Sequence, residues 1–563
     1  MFTATRLQVA TYLLGVCPFS IAFLVFLNSS VSFIITDLIG QTDRVGDAVG
    51  TLGFADELLA IVACPLWGLL SDRIGLRFVS VAGYLIIGLA LVVFVQTSNV
   101  YPQLLFARLL FSIGGAAAST MVTAILPAVA GPPTSLGSTI PSSRGHTEEA
   151  NNRNSFSPSI ASELTITPAR FASISSGQER QAKAAAKQPE SNIARSTSRI
   201  AGYVGMFTGA GALVALMVFL PLPAKFQYSG YDQKAALKAS FYIVAAVALI
   251  LASWCFIGLR GLQKGQEQCR GHLIQYKELS LASKTISALR EMWASFQIAV
   301  ITGFKHSEIG IGYVGGFVAR ASSVGISLFI PLLVNAMFLA SNLCDEGQNE
   351  GDPSGLPDLK RRCPRAYVVA AELTGATETV ALIFAPIFGY WSARTSRKHL
   401  PLLFASVCGM IGYPLFAYEF DPDGSHTGKR VLVFFAASLI GISQIGAIVC
   451  SLGTLSKGIL EGGADKGKDD TIANGSGEEE AEPLLETEDG PARKDLRLSA
   501  LKGSFAGVYS LYGGLAILIL TKLGGLLFDK VSPTAPFWIM SCFNAILLVS
   551  CMGLTLWKYN TRG

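Results

Sequence analysis

The chain has 563 residues, 51% hydrophobic and only 15% charged, with a net charge of +5. Soluble domains carry roughly 25% charged residues, and here the deficit is concentrated in long, nearly charge-free stretches. A large soluble core is therefore excluded in favour of a bilayer, which a helix crosses with about 20 apolar residues, and the modest charge gives no reason to expect a nucleic-acid partner.

The first fifteen residues, MFTATRLQVATYLLG, lack a short apolar core followed by a small-residue cleavage site, so they read as the start of an uncleaved first span. Apolar patterning predicts twelve spans, at about 11–36, 48–70, 77–97, 101–130, 200–222, 238–260, 309–339, 366–391, 399–419, 430–456, 503–525 and 534–557. The expected fold is all-α and integral to the membrane, with twelve transmembrane helices in two parallel, pseudo-symmetric six-helix halves. The first half is 1–260, a central linker is 261–308, and the second half is 309–563. An even span count puts both termini on one side. The basic residues of 71–77 and 392–398 suggest that this side is the cytoplasm, where Lys and Arg accumulate.

Two polar insertions follow spans four and ten. Residues 131–199 are rich in Ser, Thr, Ala and Gly, and residues 457–502 are acidic. Neither can bury enough apolar surface to offset chain ordering, so both are expected to be disordered and cytoplasmic. Between the halves, 284–304 (KTISALREMWASFQIAVITGF) is too polar to cross. It reads as a helix lying on the inner membrane face or as a short soluble linker helix.

One stretch occurs twice. Glu57, Ala60, Pro65, Gly68, Ser71 and Arg73 recur as Glu378, Ala381, Pro386, Gly389, Ser392 and Arg394, each pair 321 residues apart. Chance would give only ~1–2 identities over such a window at ordinary residue usage. Internal repeats of this kind are the expected build of many transporters.

The first copy ends in Gly68-Leu69-Leu70-Ser71-Asp72-Arg73-Ile74-Gly75-Leu76-Arg77. This resembles the G-x-x-x-D-R-x-G-x-R loop motif of the major facilitator superfamily, and the resemblance of span count, halves and central linker extends over nearly the whole chain. Gly68 would let another helix approach closely. Asp72 could accept hydrogen bonds at a neighbouring helix end, where the dipole favours an anion. Arg73 and Arg77 could pair with carboxylates or lipid phosphates, or serve simply as inner-side anchors. The resemblance implies that Gly68, Asp72, Arg73, Gly75 and Arg77, with Arg394 of the second copy, latch the halves together. Ala393 stands where the repeat would put an aspartate, so an asymmetric latch is expected. Span four, with Arg108 before Gly114 and Gly115, resembles the family segment whose arginine is linked to proton coupling; a structural salt bridge is the alternative. Gly202, Gly205, Gly209 and Gly211 of span five read as a packing face.

Ionisable groups inside spans are costly and usually face the interior of a bundle. They are read here as Asp56, Glu57, Arg108, Arg320, Glu372 and Glu378. Glu57 lies about three helical turns from Gly68 and shares its face, and Glu378 bears the same relation to Gly389. Glu57, Glu378 and Arg320, with Arg108, Asp56 and Asn28, are the candidate lining of a central cavity in which a glutamate carries a coupled proton. A buried ion pair is the competing role.

Cys344 and Cys363 share a loop on the expected non-cytoplasmic side, where a disulfide can persist. Glu480, Leu484 and Leu485 resemble an acidic dileucine sorting motif, which would imply a sorting adaptor and a vacuolar or endosomal membrane; the plasma membrane is the alternative destination. The sequence lacks the phosphate-binding G-x-x-x-x-G-K-[ST] pattern, which argues against direct ATP drive. His146, His272, His306, His399 and His426 fall in loops or at span edges, which argues against a catalytic residue set. The expectation is a monomeric, non-enzymatic transporter of a small solute, without cofactor or metal, surrounded by lipid and proton-coupled. A non-transporting nutrient sensor is the alternative, and a membrane-embedded enzyme a weaker one.

Overall fold

A computed structural model describes residues 4–41, 45–130, 196–262, 281–341, 364–395, 399–421, 427–461 and 501–560. Among these, twelve helices are long and apolar enough to cross a membrane: Arg6–Thr36, Ala48–Ile74, Leu76–Phe94, Val100–Ala130, Ser196–Phe219, Gln233–Gly258, Ser307–Phe338, Val368–Arg394, Leu400–Glu419, Gly428–Leu460, Lys502–Lys530 and Ala535–Leu554. They are called spans one to twelve. Helices are the form these residues must take in lipid, because each satisfies its backbone hydrogen bonds within itself. The proline pair of the repeat, Pro65 and Pro386, sits inside spans two and eight.

The two halves repeat one packing scheme. Span three packs on spans four and six, and span two packs on span four. In the second half span nine packs on spans ten and twelve, and span eight packs on span ten. Aromatic side chains fill each core. Phe26 meets Phe241 with ring centroids 4.9 Å apart in the first half, and Phe416 meets Phe537 at 5.4 Å in the second. Two buried tyrosine hydroxyls of the first half find backbone acceptors: Tyr12 donates to the Val122 carbonyl at 2.6 Å and Tyr84 to that of Val16 at 3.0 Å. These bonds remove the cost of an unsatisfied polar group in an apolar interior.

The ends of the polar insertions differ from expectation. Span five begins at Ser196, four residues earlier than its composition suggests, and Thr197 and Ser198 are buried. The reason is a partner: the Ser198 hydroxyl lies 3.4 Å from that of Ser392 on span eight, so polar residues that read as loop are covered by another helix. Span ten likewise extends as helix to Glu461, and span eleven starts at Lys502. The rest of both insertions lies outside the described residues.

The linker contains a helix, Leu281–Lys305, slightly longer than the expected 284–304. Trp293, Ile301 and Phe304 are exposed on it. Its far end turns at His306 directly into span seven, fixed by the Tyr313 hydroxyl donating to the Ala299 carbonyl at 3.2 Å.

Candidate functional site

The loop motif sits where span two meets span eleven. Gly68 packs against Gly503 and Gly507, and a methyl group built on Gly68 would fall 2.8 Å from the Gly507 Cα. Only glycine lets the two backbones lie so close. At this contact Asp72 accepts from the backbone N–H of Gly503 at 2.6 Å, from that of Ser504 at 2.7 Å and from the Ser504 hydroxyl at 2.6 Å. These are the first donors of span eleven, which have no acceptor within their own helix, and the helix dipole adds to the attraction.

The rest of the motif does several different jobs. Gly75 has φ +101°, a backbone state rarely open to other residues, and so allows the turn from span two into span three. Arg73 reaches Glu291 of the linker helix at 3.0 Å. The Arg77 guanidinium stacks over the ring of Phe256 in span six, 3.8 Å from its centroid, a contact that sequence reasoning did not anticipate.

The second copy makes the symmetry-related contact with different chemistry. Span eight meets span five through Gly389 and Gly202, where a methyl built on Gly202 would lie 2.7 Å from the Gly389 Cα. The serine pair Ser198 and Ser392 stands near the point where Asp72 works in the first copy. Among the described residues Arg394 pairs with no cross-half carboxylate; it donates to the Tyr390 hydroxyl at 2.7 Å on its own helix. Arg199 of span five also approaches the Tyr390 ring, at 5.5 Å. The glycines of span five face neighbouring helices: Gly202 and Gly209 look towards span eight, Gly205 packs on Val449 and Ile445 of span ten, and Gly211 packs on Pro18 of span one.

The charges inside the spans fall into three groups. In the first half, Arg108 donates to Asp56 at 2.5 Å and to Asn28 at 2.6 Å, while the Ser112 hydroxyl donates to the Asp56 carbonyl at 3.0 Å. Arg108 is thus an ion-paired group linking spans one, two and four. In the second half, Gln444 of span ten donates to Glu378 at 3.3 Å and to the Ser323 hydroxyl at 3.3 Å, linking spans seven, eight and ten, the corresponding three. Glu57 and Arg320 form the third group. They stand on spans of opposite halves and feel each other's charge, yet among the described residues neither makes a hydrogen bond or ion pair. Glu372 is near the outer end of span eight, exposed, and 4.0 Å from Arg430.

Sequence reasoning missed four residues here. Lys522 lies within span eleven, its ammonium 3.7 Å from the centroid of the Phe54 ring on span two, and belongs among the intramembrane charges. Gln444, Ser323 and Ser504 are uncharged, so a search for ionisable groups passes over them. Cys344 and Cys363, and Glu480, Leu484 and Leu485, lie outside the described residues. Among the described residues no cluster of His, Cys, Asp or Glu could hold a metal ion.

A profile of the Major Facilitator Superfamily matches residues 18–139, spans one to four with the loop motif. No curated protein matches the sequence. Among solved structures, the chain is similar to the proton:xylose symporter XylE bound to 6-bromo-6-deoxy-D-glucose, at 12% identity and TM-score 0.50, over 98% of this chain and 95% of that one. FucP, solved in an outward conformation, aligns at 12% identity and TM-score 0.49, over 97% and 99% of the respective chains.

Proposed function

We propose, from the premise that the chain is a major facilitator superfamily protein, that it is a secondary active transporter moving a small solute by alternating access with proton coupling. The observation that carries this reading is the contact between the halves at Asp72. Three hydrogen bonds to the start of span eleven hold one end of the bundle shut, and all three end on the carboxylate of one side chain that a small rotation would release. The equivalent contact of spans five and eight uses glycines and a serine pair, which supports an asymmetric latch with Gly68, Asp72, Arg73, Gly75, Arg77 and Arg394 at or near it. In that role the closed end faces the cytoplasm and both termini lie there.

Glu57 and Glu378 are the proposed proton carriers, since each is a carboxyl within a span at similar depth, and a protonatable acid there can exchange charge with either side as the bundle rocks. Arg108 is assigned a structural part beside Asp56 and Asn28. The test is flux in reconstituted vesicles under an imposed pH gradient. Wild-type protein should accumulate solute against its gradient. Glu57→Gln and Glu378→Gln would each be measured for exchange without coupling, and coupled uptake at wild-type rates in both variants would end the proton proposal. Vesicles that carry no solute flux at all would favour a sensor.

A further inference from the structure

We infer that the solute is a small zwitterion of the amino-acid type, its carboxylate held by Arg320 of span seven and its ammonium group by Glu57 of span two. This rests on the transport reading but not on which glutamate carries the proton; with Glu57 engaged by solute, that part falls to Glu378.

Depth is the first support. By helical rise, Glu57 lies about 20 Å from Ser71 at the closed end, and Arg320 lies about 20 Å from Ser307 at the same end. One charge therefore comes from each half, at one level near the middle of the bundle.

Convergence is the second. The stem of Arg320 rests on Gly513 of span eleven, where a built methyl would lie 2.6 Å from the arginine Cγ. Ile61, one turn from Glu57 on the same face of span two, rests on the adjacent Gly514, 3.1 Å from its built methyl. The Arg320 stem and the turn of span two next to Glu57 thus meet span eleven at adjacent residues. Tyr509, one turn nearer the closed end, lies within electrostatic reach of Arg320, and its hydroxyl is already bonded to Ser451 at 3.0 Å.

Satisfaction is the third. Arg108 has Asp56 and Asn28, and Glu378 has Gln444. Glu57 and Arg320 alone among the half-buried mid-span charges make no such bond among the described residues. An opposite pair in a low-dielectric interior attracts strongly, and side chains free to close on each other would do so. Here the Arg320 stem rests on Gly513 and Ile61, one turn from Glu57, rests on Gly514, and the two charges stand within electrostatic reach of each other without a bond between them. A neutral solute would leave both charges without a partner, and a simple anion would leave Glu57 facing it, each at a desolvation cost. A solute bearing both groups compensates both, and a carboxylate suits the two-pronged guanidinium.

The test is thermal stabilisation of the purified full-length protein by the common amino acids, by the amine and the acid that retain each one's side chain but only one charge, and by neutral sugars. A subset of amino acids should stabilise, and each single-charge analogue should bind roughly 30-fold or more weakly, the effect of leaving one buried charge unpaired. Glu57→Gln should erase the preference for the amino acid over its deaminated acid, and Arg320→Gln the preference over its decarboxylated amine. Glu57→Asp and Arg320→Lys should keep the order of preference at weaker affinity, which separates recognition from misfolding. Stabilisation by a neutral or singly charged solute equal to that by any amino acid, stabilisation by no amino acid, or unchanged discrimination in the glutamine variants would overturn the inference. Flux of a neutral or anionic solute in vesicles would overturn it while leaving the transporter reading standing.

Discussion

Asp72 works through charge as well as shape. An amide at this position keeps one acceptor oxygen but presents an NH2 group to donors, so at least one of the three bonds to Gly503 and Ser504 cannot be made. Hydrogen bonds to a charged group contribute about 1.5–3 kcal/mol each. Asp72→Asn is therefore expected to leave the twelve-span fold intact and slow solute uptake by tenfold or more, on the order of 1.4 kcal/mol per factor of ten; uptake in vesicles alongside a thermal melt measures both, and wild-type uptake would reject the latch. Arg108 calls for a different experiment. Removing Asp56 alone leaves a buried guanidinium with only Asn28, at a cost of about 3–5 kcal/mol. Asp56→Asn should thus melt markedly earlier than wild type, and the double variant Asp56→Asn with Arg108→Gln should regain much of the loss. The motif and both of these residues were legible in the sequence. Their partners were not: Asp72 is 431 residues from Gly503, and no local pattern in the chain records which helix end an aspartate will cap.

Helix pairs show the same division. The glycines at 68, 202 and 389 could be read as places of close approach because small residues serve that purpose in membranes. Which helix approaches was decided by packing, which sets span two on eleven and span five on eight. Replacing Gly389 by Val would drive a branched side chain into the Gly202 backbone, so Gly389→Val should hold this end of the bundle open. The serine pair gives a direct readout. With hydroxyls 3.4 Å apart, Ser198→Cys and Ser392→Cys together should form a disulfide under mild oxidation and arrest transport reversibly; the bond requires Cβ atoms about 3.5–4.5 Å apart. Adding Gly389→Val should abolish the cross-link, and a cross-link that forms equally well would show that the valine is accommodated without opening. The start of span five was read too late because Thr197 and Ser198 are polar, and only the facing helix shows that they are buried.

At the scale of the molecule, the shared packing scheme of the halves puts Ile74 and Arg394 at one end and Tyr228 and Tyr418 at the other, the tyrosines 91% and 84% exposed. Single cysteines at these four positions, in a background freed of native cysteines, should react with a membrane-impermeant maleimide from one side for the first pair and from the opposite side for the second. Labelling of Ile74→Cys and Arg394→Cys from different faces would break the parallel-halves description. Span number, the repeat at a spacing of 321 residues and the identity of most intramembrane charges follow from sequence alone, because hydropathy and self-similarity are one-dimensional properties that a bilayer converts directly into spans. Lys522 is the instructive exception: it sits near a span end in the sequence, and its place over Phe54 depends on two helices packing side by side. The tertiary structure alone decided which charges are matched and which stand without a bonded partner among the described residues. Arg108 meets Asp56 and Glu378 meets Gln444, whereas Glu57 and Arg320 remain apart, because pairing depends on the rotation and depth of helices from both halves, which no single span encodes.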